Sequence, residues 1–433
     1  MTPNDRFERG LPTALADLAA PYQPDYLIDI LGRTAATRQR PVWASIERWL
    51  PVQLTTSRVP TARMPWRQLG VLAVLVIILA ATVVVYAGSQ QRRIPPAYGP
   101  AANGSILYTL DGDIYKADPR SGESKAIITG PEADVAPVFS LDGTQFAFAR
   151  KPLANSTVGV LFVADADGSG VVQVTPESMN EPSDWSFSPD GRSIVAFVKG
   201  DQGRSIVVIP TDGSGKPKVY PVFATTGDGP AQYRPDGSEI MFIGGDPKSV
   251  NRAVYGLDPM SGRVRAIVPP SSGTMDIYGA SWSPDGTRIA YGVYDTTAKA
   301  ISSRTHIVNI DGTGDVVVDR HPDTIADGGF TWSNDGTRLV VTRFYSDDGS
   351  IPARSAIVPV DRSSSGVEIA CPPGAPADDC SADWRWSPDD TQLIGTLESR
   401  GRTAQFLADP TTGELRAVPW TANGHPAWQR LAK

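Results

Sequence analysis

Residues 282–292 read WSPDGTRIAYG, and this stretch decides the fold. Ser283-Pro284-Asp285-Gly286 has the composition of a type I turn: Ser suits the first position, Pro fixes φ at the second and Gly suits the fourth. An aromatic residue precedes the turn and alternating apolar residues follow it, which marks strand, tight turn, strand. The stretch recurs as FSLDGTQFAFA from Phe139, FSPDGRSIVAF from Phe187, YRPDGSEIMFI from Tyr233, WSNDGTRLVVT from Trp332 and WSPDDTQLIGT from Trp386. The aspartates fall at Asp142, Asp190, Asp236, Asp285, Asp335 and Asp389, so the spacings are 48, 46, 49, 50 and 54. A period of about 40–50 residues is that of a propeller. In this setting each Asp reads as a turn residue rather than a catalytic acid.

Working outward, a second hairpin follows each copy, marked by stretches such as VADADGSGVVQVT, YGLDPMSGRVRAIV and FLADPTTGELRAV. Each module therefore supplies about four short antiparallel strands, one blade, which buries its faces only by stacking on neighbours. The ends indicate closure. ILYTLDGDIYKADPRSGESKAIIT, Ile106 to Thr129, carries three strands without an aromatic-turn strand. HPAWQRL near the C-terminus supplies that strand, with Trp428 aligned to Trp282, Trp332 and Trp386. Six modules plus one split blade predict an all-β, seven-bladed propeller, with six blades as the alternative.

The repeat resembles the TolB-type β-propeller repeat, related to WD-repeat propellers, over about residues 104–430. The resemblance implies a propeller outside the cytoplasmic membrane that serves as a binding or scaffolding module. Three departures stand out: Tyr233-Arg234 for Trp-Ser, Asn334 for Pro, and Asp390 for Gly. The membrane segment described next departs from the soluble periplasmic form, so that protein's partners do not transfer.

No charged residue occurs between Arg67 and Arg92, and within that gap lies LGVLAVLVIILAATVVVYAG, residues 69–88. Twenty residues at about 1.5 Å each span roughly 30 Å, the hydrocarbon thickness of a bilayer. A single transmembrane helix is expected. It would divide the chain into a cytoplasmic helical segment (1–68), the span (69–88), a linker (89–103) and the propeller (104–433). Arg58, Arg63 and Arg67 on one flank against Arg92 and Arg93 on the other point the N-terminus inward. Residues 1–68 hold nine Arg and six acids, which agrees. Cys371 and Cys380 enclose the Pro-rich CPPGAPADDC. A disulfide there suits an oxidising compartment, with two unpaired thiols as the alternative. The expected location is the bacterial cell membrane, propeller outside.

Net charge is −7 and pI about 5.2, which argues against nucleic acid bound through bulk positive charge. Three His and two Cys are too few for a zinc finger or an iron–sulfur cluster. His306, His321 and His425 are widely spaced. Asp165, Asp167 and Asp311 echo a calcium loop but lack its later carboxylates. No G-x-S-x-G, H-E-x-x-H or P-loop occurs. We therefore expect neither metal nor cofactor, and a protein that is not an enzyme.

The loops between the second and third strands of the blades differ in length and are rich in polar groups. Arg150, Lys199, Lys248, Arg343 and Arg400 recur near their starts. One reading is a basic ring suited to an anionic ligand; the other is that these cations cap strand ends and pair with neighbouring acids. In residues 1–68, Trp43, Ile46 and Leu50 fall near helical spacing, for an interfacial helix or a docking face on a cytoplasmic protein. The expected function is binding of a protein, glycan or envelope component. The alternative is transmembrane signalling: the layout resembles bacterial single-pass regulators such as anti-sigma factors, with the propeller as sensor and residues 1–68 as effector.

Overall fold

The computed structural model describes residues 75–76, 96 and 98–433, apart from 152–158, 177–178, 180–181, 201–202, 225–228, 246–250, 271–272, 300–301, 320, 349, 372–378 and 400–401. Chain contacts separate residues 1–91 from 92–433. The expected cytoplasmic segment and nearly all of the expected span lie outside the described residues. Among those described, no helix is long and apolar enough to cross a membrane.

Seven four-stranded antiparallel blades make up the ring. Blades 1 to 6 begin with the strands Ala133–Phe139, Ser183–Phe187, Gln232–Tyr233, Met275–Trp282, Ala326–Trp332 and Asp383–Trp386. Blade 7 is split: Ala427–Leu431 pairs with Ala102–Leu110, followed by Asp113–Ala117 and Ser124–Ile128. The expected closure is thus observed, with Ile106 opposite Trp428. The N-terminal strand begins at Ala102, just inside the stretch expected as linker. Blades 2 and 3 share a sheet through one bridge, Ala224 to Gly244.

Each repeat forms the turn its composition dictates. Gly286 donates its N–H to the Ser283 carbonyl at 2.8 Å, and the other copies match. The Ser hydroxyl donates to the turn Asp, 2.6 Å for Ser140–Asp142, Ser188–Asp190 and Ser333–Asp335. Asp167 and Asp311 hold their own hairpin turns in the same way, through Ser169 and Thr313.

The core is a ring of seam clusters. Phe139, Phe146 and Phe148 pack on Leu107 and Ile114 between blades 7 and 1; Trp332 and Leu339 pack on Ala290 and Ile307 between blades 4 and 5. Two polar braces repeat across seams. The indole N–H groups of Trp282, Trp332 and Trp386 donate to carbonyls of the preceding blade, those of Gln232, Ser281 and Thr331. Arg288 and Arg338 lie over Trp332 and Trp386 and bond the next turn's carbonyl, Gly336 or Asp390. Arg234 explains the first departure from the repeat. It occupies the Ser position yet supplies the same brace, over Trp282 and onto the Gly286 carbonyl.

Candidate functional site

The first strands of the blades surround a central cavity of about 600 Å³, which lies in the usual range for a small-molecule site. Its lining comes from every blade except blade 4. Each first strand runs from the loop face toward its S-P-D-G turn, so the order of residues along it gives depth in the cavity.

At the loop end, backbone bulges shape the mouth. The inner strands of blades 1, 2, 4 and 5 break register near Ala136, Asp184, Gly279 and Gly329, all with φ between 51° and 56°. A bulge re-aims the side chain it carries, and Asp184 is thereby exposed at the lining. Arg204 meets it at 3.3 Å. Across the mouth, Asp383 accepts from Arg385 and pairs with His425, both at 3.1 Å. Pro137, Val138, Trp185, Pro426 and Ala427 give the wall an apolar character.

The turn end is closed by Arg430, Asn334 and residues ahead of the first strand. Arg430 comes from blade 7 and is 8% exposed. It donates to the Leu141 carbonyl of blade 1 and the Asn334 side chain of blade 5. It also donates to the Pro96 and Gly99 carbonyls. Tyr98 reaches the Tyr233 carbonyl of blade 3, and the Ala101 N–H bonds Pro388 of blade 6. Pro96, Tyr98 and Gly99 therefore back Arg430, which with Leu141, Asn334 and Pro388 lines this end, and the cavity is a cup. Burial pushes the Arg430 guanidinium pKa down, with Asp390 and Tyr98 opposing. Burial likewise raises the Tyr98 phenol.

Asn334 and Asp390, the other two departures, meet beside the same floor. Asp390 occupies the glycine position with φ 62°. Its carboxylate accepts from the Asn334 N–H, the Asn334 side-chain amide and the Asp335 N–H at 2.7–2.8 Å. A proline at 334 has no N–H to donate. Burial raises the Asp390 pKa against these bonds.

Two of the five cations expected near the loops are tied to acids. Arg150 is held bidentately by Asp134 at 2.7 and 3.0 Å. Arg343 is 1% exposed and locked on the buried Asp319 at 2.7 and 2.9 Å. Both act as structural ties across strand ends, as the alternative reading held. Lys199 is exposed on the Ser193–Gly200 strand; Lys248 and Arg400 lie outside the described residues. Cys371 and Cys380 are disulfide-bonded. Reading the sequence missed Arg385, His425 as a cup residue, and Arg430. The available signal was position: each lies in or beside the channel-lining strand of its repeat.

No family model and no curated protein matches this chain. Solved structures do. The oligogalacturonate lyase of Vibrio parahaemolyticus is 14% identical, over 73% of this chain and 92% of that one, with a TM-score of 0.56. A structure described in an analysis of two prolyl endopeptidases is 16% identical over 75% of this chain, with a TM-score of 0.54, and this chain spans only 51% of it. TolB from Acinetobacter baumannii is 15% identical, over 75% of this chain and 82% of that one, with a TM-score of 0.47. At these identities the likeness is one of fold. The chain is a seven-bladed β-propeller, and its repeat, now seen to build the inner turns, is what resembles the TolB type. One expectation is overturned. Propellers of this fold occur in a lyase and in endopeptidases, so the missing motifs do not establish that this chain is not an enzyme.

Proposed function

We propose that this chain is a single-pass bacterial membrane protein, N-terminus in the cytoplasm. Its propeller lies outside and binds a protein, glycan or envelope component at the loop end of the channel. The observation that carries the reading is the cup. Arg430 and Asn334, with Arg430 backed by Pro96 and Gly99, close one end, while Asp184 and His425 stand exposed at the other. A rigid ring with one polar, open mouth is where a propeller's ligand belongs. The apolar run of residues 69–88 supports the anchor.

A second reading, signalling to residues 1–68, is favoured by one feature. Arg430, which lines the floor of the cup, also bonds the Pro96 and Gly99 carbonyls of the segment through which the chain enters the propeller, so a ligand that moved Arg430 would be felt there. Two experiments test these readings. A membrane-impermeant thiol reagent should label Cys371 and Cys380 in intact cells only after reduction; labelling that needs lysis but no reduction would put the propeller in the cytoplasm. A photo-crosslinking residue at Ala427 in the cup should capture envelope material that the same residue at Val172, on an outer strand, does not. Equal capture at both would remove the cup as the binding site.

A further inference from the structure

We propose that the cup selects small amphipathic anions, with one carboxylate on a flat apolar body, and that Arg430 at its floor is the charge that selects them. The inference rests on the cup being a binding site and deepens that reading.

The argument is one of charge compensation. The titratable side chains among the described lining residues are Asp184, Arg385, His425 and Arg430. Asp184 is met by Arg204, and Arg385 and His425 by Asp383. Arg430 is different. It is more than nine-tenths buried, and its partners are three backbone carbonyls from Leu141, Pro96 and Gly99 and one side-chain amide oxygen from Asn334. No carboxylate among the described residues lies within ion-pairing distance of it; Asp390 acts on it only through space. A guanidinium has five N–H donors. The bonds to described residues take four of these on a residue that lines the cavity. Neutral acceptors orient the charge without cancelling it. In a recess with apolar walls such a charge projects further than at a surface, because low-dielectric walls focus its field. The walls supply the other half of the selection: between the polar mouth and the floor, Pro137, Val138, Trp185, Pro426 and Ala427 offer apolar and aromatic faces. A highly charged or fully hydroxylated ligand would lose water against these faces without replacement. A flat apolar body with one anionic head fits both.

The test uses the full-length protein and two probes of the same shape, 1-naphthoate and neutral 1-naphthamide, measured by equilibrium dialysis. We expect naphthoate to bind at least about tenfold more tightly, the scale of one charge-assisted contact. Arg430→Gln should abolish that preference. Because Arg430 also holds Pro96 and Gly99, a second pair keeps the test independent of folding. Thr331 lines the cavity wall; Thr331→Glu should cost naphthoate about tenfold or more and naphthamide little, whereas Thr331→Gln, of equal size, should leave the preference intact. If the two probes bind wild type equally, the selection of anions is wrong while the cup stands as a binding site. If naphthoate does not bind, or if Thr331→Glu and Thr331→Gln behave alike, the inference fails, and crosslinking at Ala427 still decides the cup separately.

Discussion

Asn334 and Asp390 show how two single-residue departures from a repeat act as one. Each breaks the turn rule when read alone. Together they trade a proline's rigidity and a glycine's freedom for three hydrogen bonds across a blade seam. A double-mutant cycle should expose this. Asn334→Pro should cost about 2 kcal/mol by removing two of the three donors to a buried carboxylate, and Asp390→Gly less, because it relieves a left-handed backbone. The two should couple by about 1–2 kcal/mol in denaturant titration, and strict additivity would refute the pairing. Gly143 offers a cleaner test of close approach. A Cβ there would stand 2.0 Å from the Arg430 carbonyl oxygen, while at Gly237 it meets nothing nearer than 3.9 Å. Both residues have φ near 70°, so backbone strain is matched at about 1 kcal/mol. Gly143→Ala should therefore lower stability well beyond Gly237→Ala; equal losses would show that blade 1 does not seat on the closing strand this tightly.

The same scale sets the pH response. Partial burial works to raise the turn aspartates Asp190, Asp236, Asp285, Asp335 and Asp389, but hydrogen bonds from Ser and Thr hydroxyls and backbone N–H groups hold them below the usual carboxylate range. A depressed folded pKa contributes stability above the unfolded value, near 3.9, that is lost as pH falls through the folded pKa. Asp327 and Asp390 are raised, chiefly by burial, and run the other way: their stabilising effect is complete below the unfolded value and fades as pH rises through the folded one. The five outnumber the two, so stability should fall as pH drops below about 4. Asp285→Asn should make that decline shallower by up to about 1.4 kcal/mol per pH unit for one proton. An unchanged slope in urea titrations across this range would contradict the assignment.

Among the elements, the seams are unequal. The cluster between blades 6 and 7 has four buried residues, Ile106, Ile394, Leu407 and Trp428, against twelve between blades 3 and 4. It also lacks a brace, for the Trp428 indole N–H has no partner among the described residues. Ala101 and Asn103 latch it instead, through Pro388 and Asp389. Local opening should begin there. Hydrogen exchange in Ala427–Leu431 should proceed at a lower opening free energy than in Met275–Trp282, and equal protection would show a uniform ring. The strand-end ties behave oppositely. Arg343→Ala should destabilise by about 3–5 kcal/mol, because it leaves Asp319 buried and unpaired. A loss under about 1 kcal/mol would return Arg343 to the list of surface cations. The repeat made blade number and closure legible, since one physical solution is written six times. Arg430 and His425 were not, because each occurs once and its role depends on which strands the ring brings together. Arg150 and Arg343 misled for a related reason: the sequence shows the cation's place on its strand but not the acid, Asp134 or Asp319, that folding sets against it.

For the whole molecule, the joint between Ala102–Leu110 and Ala427–Leu431 sets a schedule as well as a shape. Ile106 precedes its partner Trp428 by about 320 residues. At a synthesis rate of roughly 5–20 residues per second, the first strand waits on the order of 16–64 s for the strand that completes its blade. Throughout that interval the N-terminal strand presents an open edge, able to pair with another nascent copy as readily as with its own end. The ring whose first strand is covered on both sides in the finished protein is, while being made, an invitation to strand exchange between neighbours on one messenger, and the rate at which the ribosome reaches Leu431 becomes part of what decides between monomer and tangle.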